Sequence, residues 1–236
     1  MSSINNRIAN LDWPRITEDL HTQGFARTGR LLTDEECTHI ASSYDNEALF
    51  RSRVVMARHG FGKGEYKYFA YPLPDITQSL RDGLYPHLAS VANAWNAAMK
   101  IDTRYPATLA DMLARCHAAG QLRPTPLMLK YGQGDYNCLH QDLYGEHVFP
   151  LQAVVLLSTP GVDFDGGELV LVEQRPRMQS KPNVVPLARG EAVIFAVHHR
   201  PVQRSRGSYR VNLRHGVSTI TRGQRMTTGV IFHDAT

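Results

Sequence analysis

A histidine and an aspartate, His140 and Asp142, stand two residues apart in a stretch that is typical of an extended chain. On a β-strand, residues i and i+2 point to the same face, about 7 Å apart by strand rise. An imidazole and a carboxylate side by side supply two of the three ligands of a 2-His-1-carboxylate site, which holds non-haem Fe(II) and leaves positions open for other ligands. The pair alone is a weak signal, because short motifs also arise by chance. A third histidine must come from elsewhere in the chain.

Two adjacent histidines are the candidates for this third ligand. His198 and His199 end the apolar run at residues 192–197, which is typical of a buried strand. Strand parity places their side chains on opposite faces, but it does not decide which face looks inward. We expect His215 and His233 to cap strand ends or to bond to the backbone.

The amino-acid composition indicates what kind of protein this is. The 236 residues are 42% hydrophobic and 20% charged, as in an ordinary soluble globular protein. Three cysteines without a C-x-x-C pair predict a reducing compartment. The N-terminus lacks a signal-peptide pattern, and no apolar run approaches the roughly 20 residues of a membrane span, so we expect a cytoplasmic protein with no membrane contact. The net charge of +4 is compatible with a polyanionic partner but does not establish one.

The chain changes character near residue 125. Before it, capping and periodicity predict helices at residues 15–23, 33–44, 76–99 and 108–119, the third bent or broken at Pro86. After it, short apolar runs between turn residues predict strands at 126–131, 149–158, 168–173, 184–187, 191–197, 209–218 and 227–232. We therefore expect one α+β domain over residues 1–236. Residues 1–124 would be mainly helical support, and residues 125–236 a β-rich catalytic core built as a sandwich or barrel.

This order of parts resembles the Fe(II)/2-oxoglutarate-dependent dioxygenases, a superfamily with a double-stranded β-helix (jelly-roll) core. Residues 129–142 resemble the AlkB-type pattern, in which a tyrosine, here Tyr131, precedes the first iron ligand by nine residues. Residues 164–170 and 189–195 resemble the prolyl-hydroxylase-like order that leads to the distal histidine. Residues 210–214 resemble the arginine-bearing strand that closes the cosubstrate pocket.

A narrower resemblance is to one prokaryotic family described as oxygenases acting on damaged nucleic acid. It is carried by residues 139–150, 173–180, 197–202 and 209–218, with the tail 231–234. It implies oxidative demethylation of alkylated nucleic acid as the function. The alternative is a protein side-chain (prolyl-type) or small-molecule hydroxylase of the same superfamily. A jelly-roll binding module without turnover is disfavoured by the complete ligand set.

The resemblance also implies the metal ligands. His140, Asp142 and His199 would hold Fe(II), with His198 as the alternative to His199. The segment that begins at His199 reads His-Arg-Pro-Val and resembles the His-leading segment of relatives that carry Pro-Val downstream. One departure is that both histidines follow Phe195 by only three and four residues, whereas the superfamily usually has a longer connection there.

The cosubstrates implied are 2-oxoglutarate and O2. The buried carboxylate of 2-oxoglutarate requires a cation. Arginine is suited because its planar guanidinium group binds a carboxylate bidentately and stays charged. Arg210 fits this role, and Tyr131 would donate its hydroxyl to the same carboxylate. Arg214 shares the face of Arg210 and would hold the inner carboxylate or form an ion pair at the pocket rim.

Substrate contacts are less defined by the sequence. Tyr144 and Glu146 follow the His-x-Asp pair at positions that could face the substrate, and residues 173–180 could form a lid or a solvated hairpin. A group of arginines near the arginine strand is suited to phosphates, or is simply a solvated rim. Its members are Arg200, Arg204, Arg206, Arg222 and Arg225.

Overall fold

The computed structural model describes residues 3–204 and 207–236. In this part of the chain the helices are α1 (Ile4–Ala9), α2 (Trp13–Gln23), α3 (Asp34–Ser42), α4 (Asp75–Ala98) and α5 (Leu109–Ala118). The strands are β1 (Phe25–Arg30), β2 (Phe50–Val55), β3 (Gly62–Lys63), β4 (Glu65–Phe69), β5 (Leu127–Tyr131), β6 (Tyr136–His140), β7 (Leu151–Leu156), β8 (Phe164–Gly166), β9 (Leu169–Gln174), β10 (Lys181–Val185), β11 (Glu191–Ala196), β12 (His199–Arg204), β13 (Gly207–Val217), β14 (Ile220–Gly223) and β15 (Arg225–Ile231).

Local sequence signals fix the helix ends. At α3 the Thr33 hydroxyl accepts a hydrogen bond from the Glu36 amide, and the Glu36 carboxylate accepts one from the Thr33 amide, which is the predicted capping box. Helix α2 ends at Gly24, whose φ of 82° is left-handed. A Cβ there would lie 2.6 Å from the Arg200 Cδ atom, so both the turn and the packing require glycine.

Two antiparallel sheets form the core. The larger has the strand order β1-β11-β7-β15-β5-β4-β2, and the smaller has the order β10-β9-β13-β6-β3, with β12 paired to β13. The main strands from β5 to β15 alternate between the two sheets along the chain, as in a double-stranded β-helix. The predicted α+β class with a jelly-roll core is therefore confirmed.

The helices cover one face of the larger sheet. Leu20 of α2 and Leu84 and Leu88 of α4 belong to one buried cluster with Ala153 and Val155 of β7. A second cluster lies between the sheets and includes side chains from both of them. The bracing role expected of the N-terminal helices is confirmed. The N-terminal part also contributes β1, β2 and β4, which complete the larger sheet.

Two stretches differ from the expected secondary structure. Helix α4 runs through Pro86 without a break. Leu84 and Leu88 on either side are buried in the same core, and this packing outweighs the one backbone hydrogen bond that proline cannot donate. Between the predicted strands at 191–197 and 209–218, the structure has a further strand, β12, which contains Pro201. Within the described residues β12 pairs only with β13, and an edge strand tolerates proline.

None of the helices in the described residues is long and apolar enough to cross a membrane.

Candidate metal centre and cosubstrate pocket

A cavity of about 340 Å³ lies between the two sheets. Its walls are mainly aromatic and aliphatic, and among its described lining residues the aspartate, glutamate, lysine and arginine side chains are limited to Asp142 and Arg225. From the larger sheet the lining includes Tyr66, Tyr68, Leu127, Leu129, Tyr131, Gln152, Val154, Arg225, Thr227, Gly229 and Ile231. The smaller sheet and its connections contribute Asn137, Cys138, Leu139, His140, Gln141, Asp142, Tyr144, Leu169, His215 and Val217.

His140, Asp142 and His215 meet inside this cavity. His140 on β6 is the register partner of His215 on β13, and their ring centroids lie 4.1 Å apart. Asp142 follows the end of β6, with Oδ1 3.5 Å from His140 Nε2 and Oδ2 3.2 Å from His215 Nε2. One potential ligand atom from each residue lies within 4.8 Å of the others. These distances are suited to a single metal ion bound by all three.

Hydrogen bonding orients the first histidine. His140 Nδ1 donates to the Cys138 carbonyl over 2.8 Å, and Nε2 is the ring nitrogen that faces Asp142 and would bind a metal ion. A bond from the outer ring nitrogen to a carbonyl is the usual way to fix the tautomer of a ligating histidine.

Charge coupling keeps Asp142 ionised. Burial alone would raise the pKa of Asp142, but hydrogen bonds and charge from His140 and His215 hold it well below its usual value. Burial also lowers the pKa of His140, yet the hydrogen bond and charge of Asp142 outweigh it and raise that pKa. Burial together with the neighbouring His140 lowers the pKa of His215. The cluster thus presents one carboxylate anion and two imidazoles, the donor set of a 2-His-1-carboxylate site.

Tyr144 holds the carboxylate in place. Its hydroxyl donates to Asp142 Oδ1 over 2.7 Å and accepts from the Tyr68 hydroxyl at 3.0 Å. Burial and the charge of Asp142 raise the pKa of Tyr144, so the phenol stays protonated and remains a donor. The buried Gln121 side chain secures this loop by donating to the Tyr144 and His147 carbonyls and accepting from the His147 amide.

The structure places His215, and not His198 or His199, beside His140 and Asp142. The His198 and His199 rings contact each other with centroids 3.4 Å apart, and His199 on β12 pairs in register with Asn212 on β13, outside the cluster. The chain forms the extra edge strand β12 before it enters β13, which carries His215 into the cavity. His215 therefore does not simply cap a strand end.

The sequence held a signal for His215. Val211, Leu213, His215 and Val217 alternate along β13 and are all buried. Strand parity alone places this histidine on the face that looks into the core.

Arg225, not Arg210, is the arginine in the cavity. Arg225 is 3% exposed, pairs in register with Tyr131 across β15 and β5, and makes no ion pair within the described residues. Its guanidinium carbon lies 5.8 Å from the Tyr131 ring centre. Arg210 and Arg214 are exposed because Val211 and Leu213, the alternate residues of β13, take the inner face.

Tyr131 lies in the wall of the cavity. It is fully buried in the cavity beside Arg225, and its hydroxyl accepts from Asn137 Nδ2 at 3.3 Å. Burial raises the pKa of Tyr131, so its own proton is retained and can be donated to a bound acceptor.

The predicted arginine group does not form one phosphate-binding surface. Arg200 is 2% exposed and pairs with Glu173, while Arg225 lines the cavity. Arg222 pairs with Asp165 on the surface. Arg206 and the side chain of Arg204 lie outside the described residues.

Three further expectations concern Tyr144 and Glu146, the segment 173–180, and His233. Tyr144 lines the cavity, but Glu146 is exposed and absent from the described cavity wall. Residues 175–180 connect the paired strands β9 and β10, which makes them a hairpin loop. His233 is buried, and its Nδ1 accepts from the Phe149 amide at 3.2 Å.

The residues present fit an iron ion with a dicarboxylate cosubstrate. The ligands are the nitrogen and oxygen donors that Fe(II) takes in such sites. Three buried polar atoms of the cavity residues, Arg225 Nε, Gln152 Oε1 and His215 Nδ1, have no hydrogen-bond partner in the described part of the chain. Buried polar atoms in folded proteins are nearly always paired, so unpaired ones at a cavity indicate a ligand.

Fold and site together define a jelly-roll protein with a 2-His-1-carboxylate cluster. A family model described as "Oxygenase, catalysing oxidative methylation of damaged DNA" matches residues 64–235. The chain belongs to this family and is an oxygenase. An uncharacterized protein of Mycobacterium tuberculosis, found in two strains, is 51% identical over 167 residues, which cover 71% of this chain and 72% of that protein.

Solved structures share the fold. An oxidoreductase of the 2OG-Fe(II) oxygenase family from Burkholderia pseudomallei has a TM-score of 0.57 at 14% identity, covering 96% of this chain and 93% of that one. A Pseudomonas putida prolyl-4-hydroxylase has a TM-score of 0.55 at 14% identity, covering 95% of this chain and 99% of that one.

Proposed function

We propose that this protein is an Fe(II)- and 2-oxoglutarate-dependent oxygenase that removes N-alkyl groups from nucleic acid by oxidation. One observation carries the proposal. The three metal-ligand side chains His140, Asp142 and His215 share a cavity with Arg225, a buried cation that has no acidic partner in the described residues.

The three ligands would bind iron and leave its other positions to 2-oxoglutarate and O2. With iron bound, O2 would oxidise both molecules: 2-oxoglutarate loses CO2 and takes up one oxygen atom to give succinate, and the other oxygen atom converts a substrate C–H bond into C–OH. The protein holds the reacting groups in place and excludes water. Tyr144 contributes by fixing the orientation of the Asp142 carboxylate.

Arg225 and Tyr131 would bind the far carboxylate of 2-oxoglutarate. The guanidinium supplies a charge-assisted bidentate bond, and the Tyr131 hydroxyl supplies a neutral donor beside it. The apolar side chains around them keep the pair desolvated, and desolvation strengthens a correctly paired charge.

Nucleic acid as substrate is supported by the family description and by the chemistry of the cavity. Hydroxylation of an N-methyl group gives a hemiaminal, which releases formaldehyde and leaves the N–H base, so the cleavage needs no further catalytic side chain. The cavity walls include the uncharged side chains of Tyr66, Tyr68, Leu127, Leu129 and Ile231, which suit the flat ring of a base. A base must leave its stack to reach a buried metal, so single strands should be favoured.

The test is a panel of candidate substrates assayed for succinate and formaldehyde. Single-stranded oligonucleotides with N-methylated bases should release both products, whereas their unmethylated counterparts should release no formaldehyde. His140→Ala should abolish both signals. Turnover confined to a proline-containing peptide or a small molecule would refute the nucleic-acid part and favour the hydroxylase alternative. An absence of 2-oxoglutarate turnover with every substrate would refute the whole proposal.

A further inference from the structure

An exposed aromatic residue stands at the mouth of the cavity. Phe61 lines the cavity and is nevertheless 48% exposed, and Leu139 beside the metal ligands is 45% exposed. The His59 ring stacks on Phe61 with centroids 5.3 Å apart. Two neighbouring rings thus lie open to solvent where a substrate must enter.

The turn that carries Phe61 is firmly held. The Phe61 amide donates to the Met56 carbonyl at 3.2 Å, and its carbonyl accepts from the Cys138 amide at 2.9 Å. Gly62, at φ 125°, lets β3 approach β6 closely, since a Cβ there would lie 2.3 Å from the Tyr136 carbonyl oxygen. Phe61 is therefore presented on a fixed backbone, and fixing a ring before binding reduces the entropy cost of stacking on it.

Cations flank the same turn. Arg58 lies two residues before Gly60, a cavity-lining residue, and Lys63 lies two residues after Phe61. Both side chains are exposed, and neither makes an ion pair within residues 3–204 and 207–236. Free cations beside an exposed ring suit a partner that carries both negative charge and flat rings.

Residues 58–63 are here called the mouth turn. We propose that the mouth turn binds single-stranded nucleic acid. Phe61 stacks on the base next to the one that enters the cavity, and Arg58 and Lys63 contact the flanking phosphates. This inference rests on the proposed function and adds to it the surface that selects the strand.

The same surface is poorly suited to an extended peptide. A peptide that adds to a sheet edge is held by a ladder of main-chain hydrogen bonds. The edge strand at the mouth turn, β3, is two residues long, which leaves little ladder to extend. Base stacking needs only an exposed ring, and phosphate contacts need only free cations.

The test measures binding separately from turnover. Fluorescence anisotropy would follow a short labelled oligothymidylate without methylated bases, with the full-length protein and a range of salt concentrations. Phe61→Ala should weaken binding about fivefold to a hundredfold, as for the loss of one stacked base, and Phe61→Trp should restore it. Arg58→Ala and Lys63→Ala should each reduce the slope of log affinity against log salt by about 0.7.

Matched controls lie at the opposite edge of the same sheet. On β10, Val184 is 59% exposed and Lys181 is exposed, so Val184→Ala and Lys181→Ala make equivalent changes away from the mouth turn. Both should bind the oligonucleotide like the wild type. An abasic oligomer should remove the difference between the wild type and Phe61→Ala, because no base remains to stack.

Two results would overturn the inference. The first is equal binding by the mouth-turn variants and the β10 controls. The second is an effect of Phe61→Ala on peptide turnover with oligonucleotide binding unchanged, which would assign the surface to a protein partner. If the wild type binds the oligonucleotide through the mouth turn but never releases formaldehyde, the proposed chemistry fails while the binding surface stands.

Discussion

Replacing Arg225 by lysine should weaken 2-oxoglutarate binding without disturbing the metal ligands. Arg225 is 3% exposed and faces the cavity with no acidic partner among the described residues. Lysine keeps the charge but loses the planar fork, so one charge-assisted hydrogen bond is lost. Such a bond contributes about 1.5–3 kcal/mol, which corresponds to about a tenfold to hundredfold higher KM for 2-oxoglutarate.

The matched control is Arg210→Lys. Arg210 is exposed on the outer face of β13, so this change should leave the KM for 2-oxoglutarate unaltered. KM values would come from succinate release, and direct titration of 2-oxoglutarate into Co(II)-loaded protein would separate binding from turnover.

Replacing Arg225 by an apolar residue should have opposite effects on thermal stability and on 2-oxoglutarate binding. Burial lowers the pKa of Arg225, which reflects the cost of a desolvated charge without a partner. Arg225→Met should therefore raise the Tm of the ligand-free protein while it abolishes 2-oxoglutarate binding. A raised KM in Arg210→Lys with an unchanged one in Arg225→Lys would refute this reasoning, as would a lower Tm in Arg225→Met.

Three further predictions follow from the site. His215→Ala should lose bound metal by elemental analysis while His199→Ala retains it, and the reverse pattern would restore the ligand set expected from the sequence. Tyr144→Phe should weaken Co(II) binding about tenfold to a hundredfold, as for other partners that orient a ligand. Tyr66→Phe, a cavity change with no hydrogen bond to the carboxylate, should not, and equal effects of the two would refute the role of the phenol. Burial lowers the pKa of His233 to about 4, whereas an unfolded histidine titrates near about 6.5. Below pH 6.5 the unfolded state therefore binds a proton that the folded state excludes. The stability contributed by this group is complete above that pH and falls by about 3 kcal/mol as the pH drops towards 4. Urea unfolding across this range should show a smaller loss in His233→Gln, and identical slopes would contradict the assignment.

The sequence predicted the elements of the core well because each is specified locally. The capping box at Thr33 and Glu36 and the left-handed Gly24 need only a few neighbouring residues. The pairing of His140 with Asp142 needs only the end of one strand and the turn that follows it. Such features can be predicted from spacing alone.

The positions of His215 and Arg225 in the cavity depend on the long-range register of the strands. His215 lies opposite His140 only because β13 pairs with β6, and Arg225 lies beside Tyr131 only because β15 pairs with β5. The extra strand β12 shifts both assignments along the chain. The apolar residues at alternate positions of β13 were the sequence signal for His215. Arg225 is the first residue of β15, so no alternation of apolar residues before it predicts which face its side chain takes.

The most direct test measures whether succinate and formaldehyde are formed together when the protein acts on a methylated oligonucleotide. Wild-type protein with Fe(II), 2-oxoglutarate, O2 and an N-methylated single-stranded oligonucleotide should form succinate and formaldehyde in equal amounts. Omission of any one cosubstrate should stop both. Formaldehyde release without 2-oxoglutarate, or 2-oxoglutarate turnover that no methylated oligonucleotide stimulates, would contradict the account.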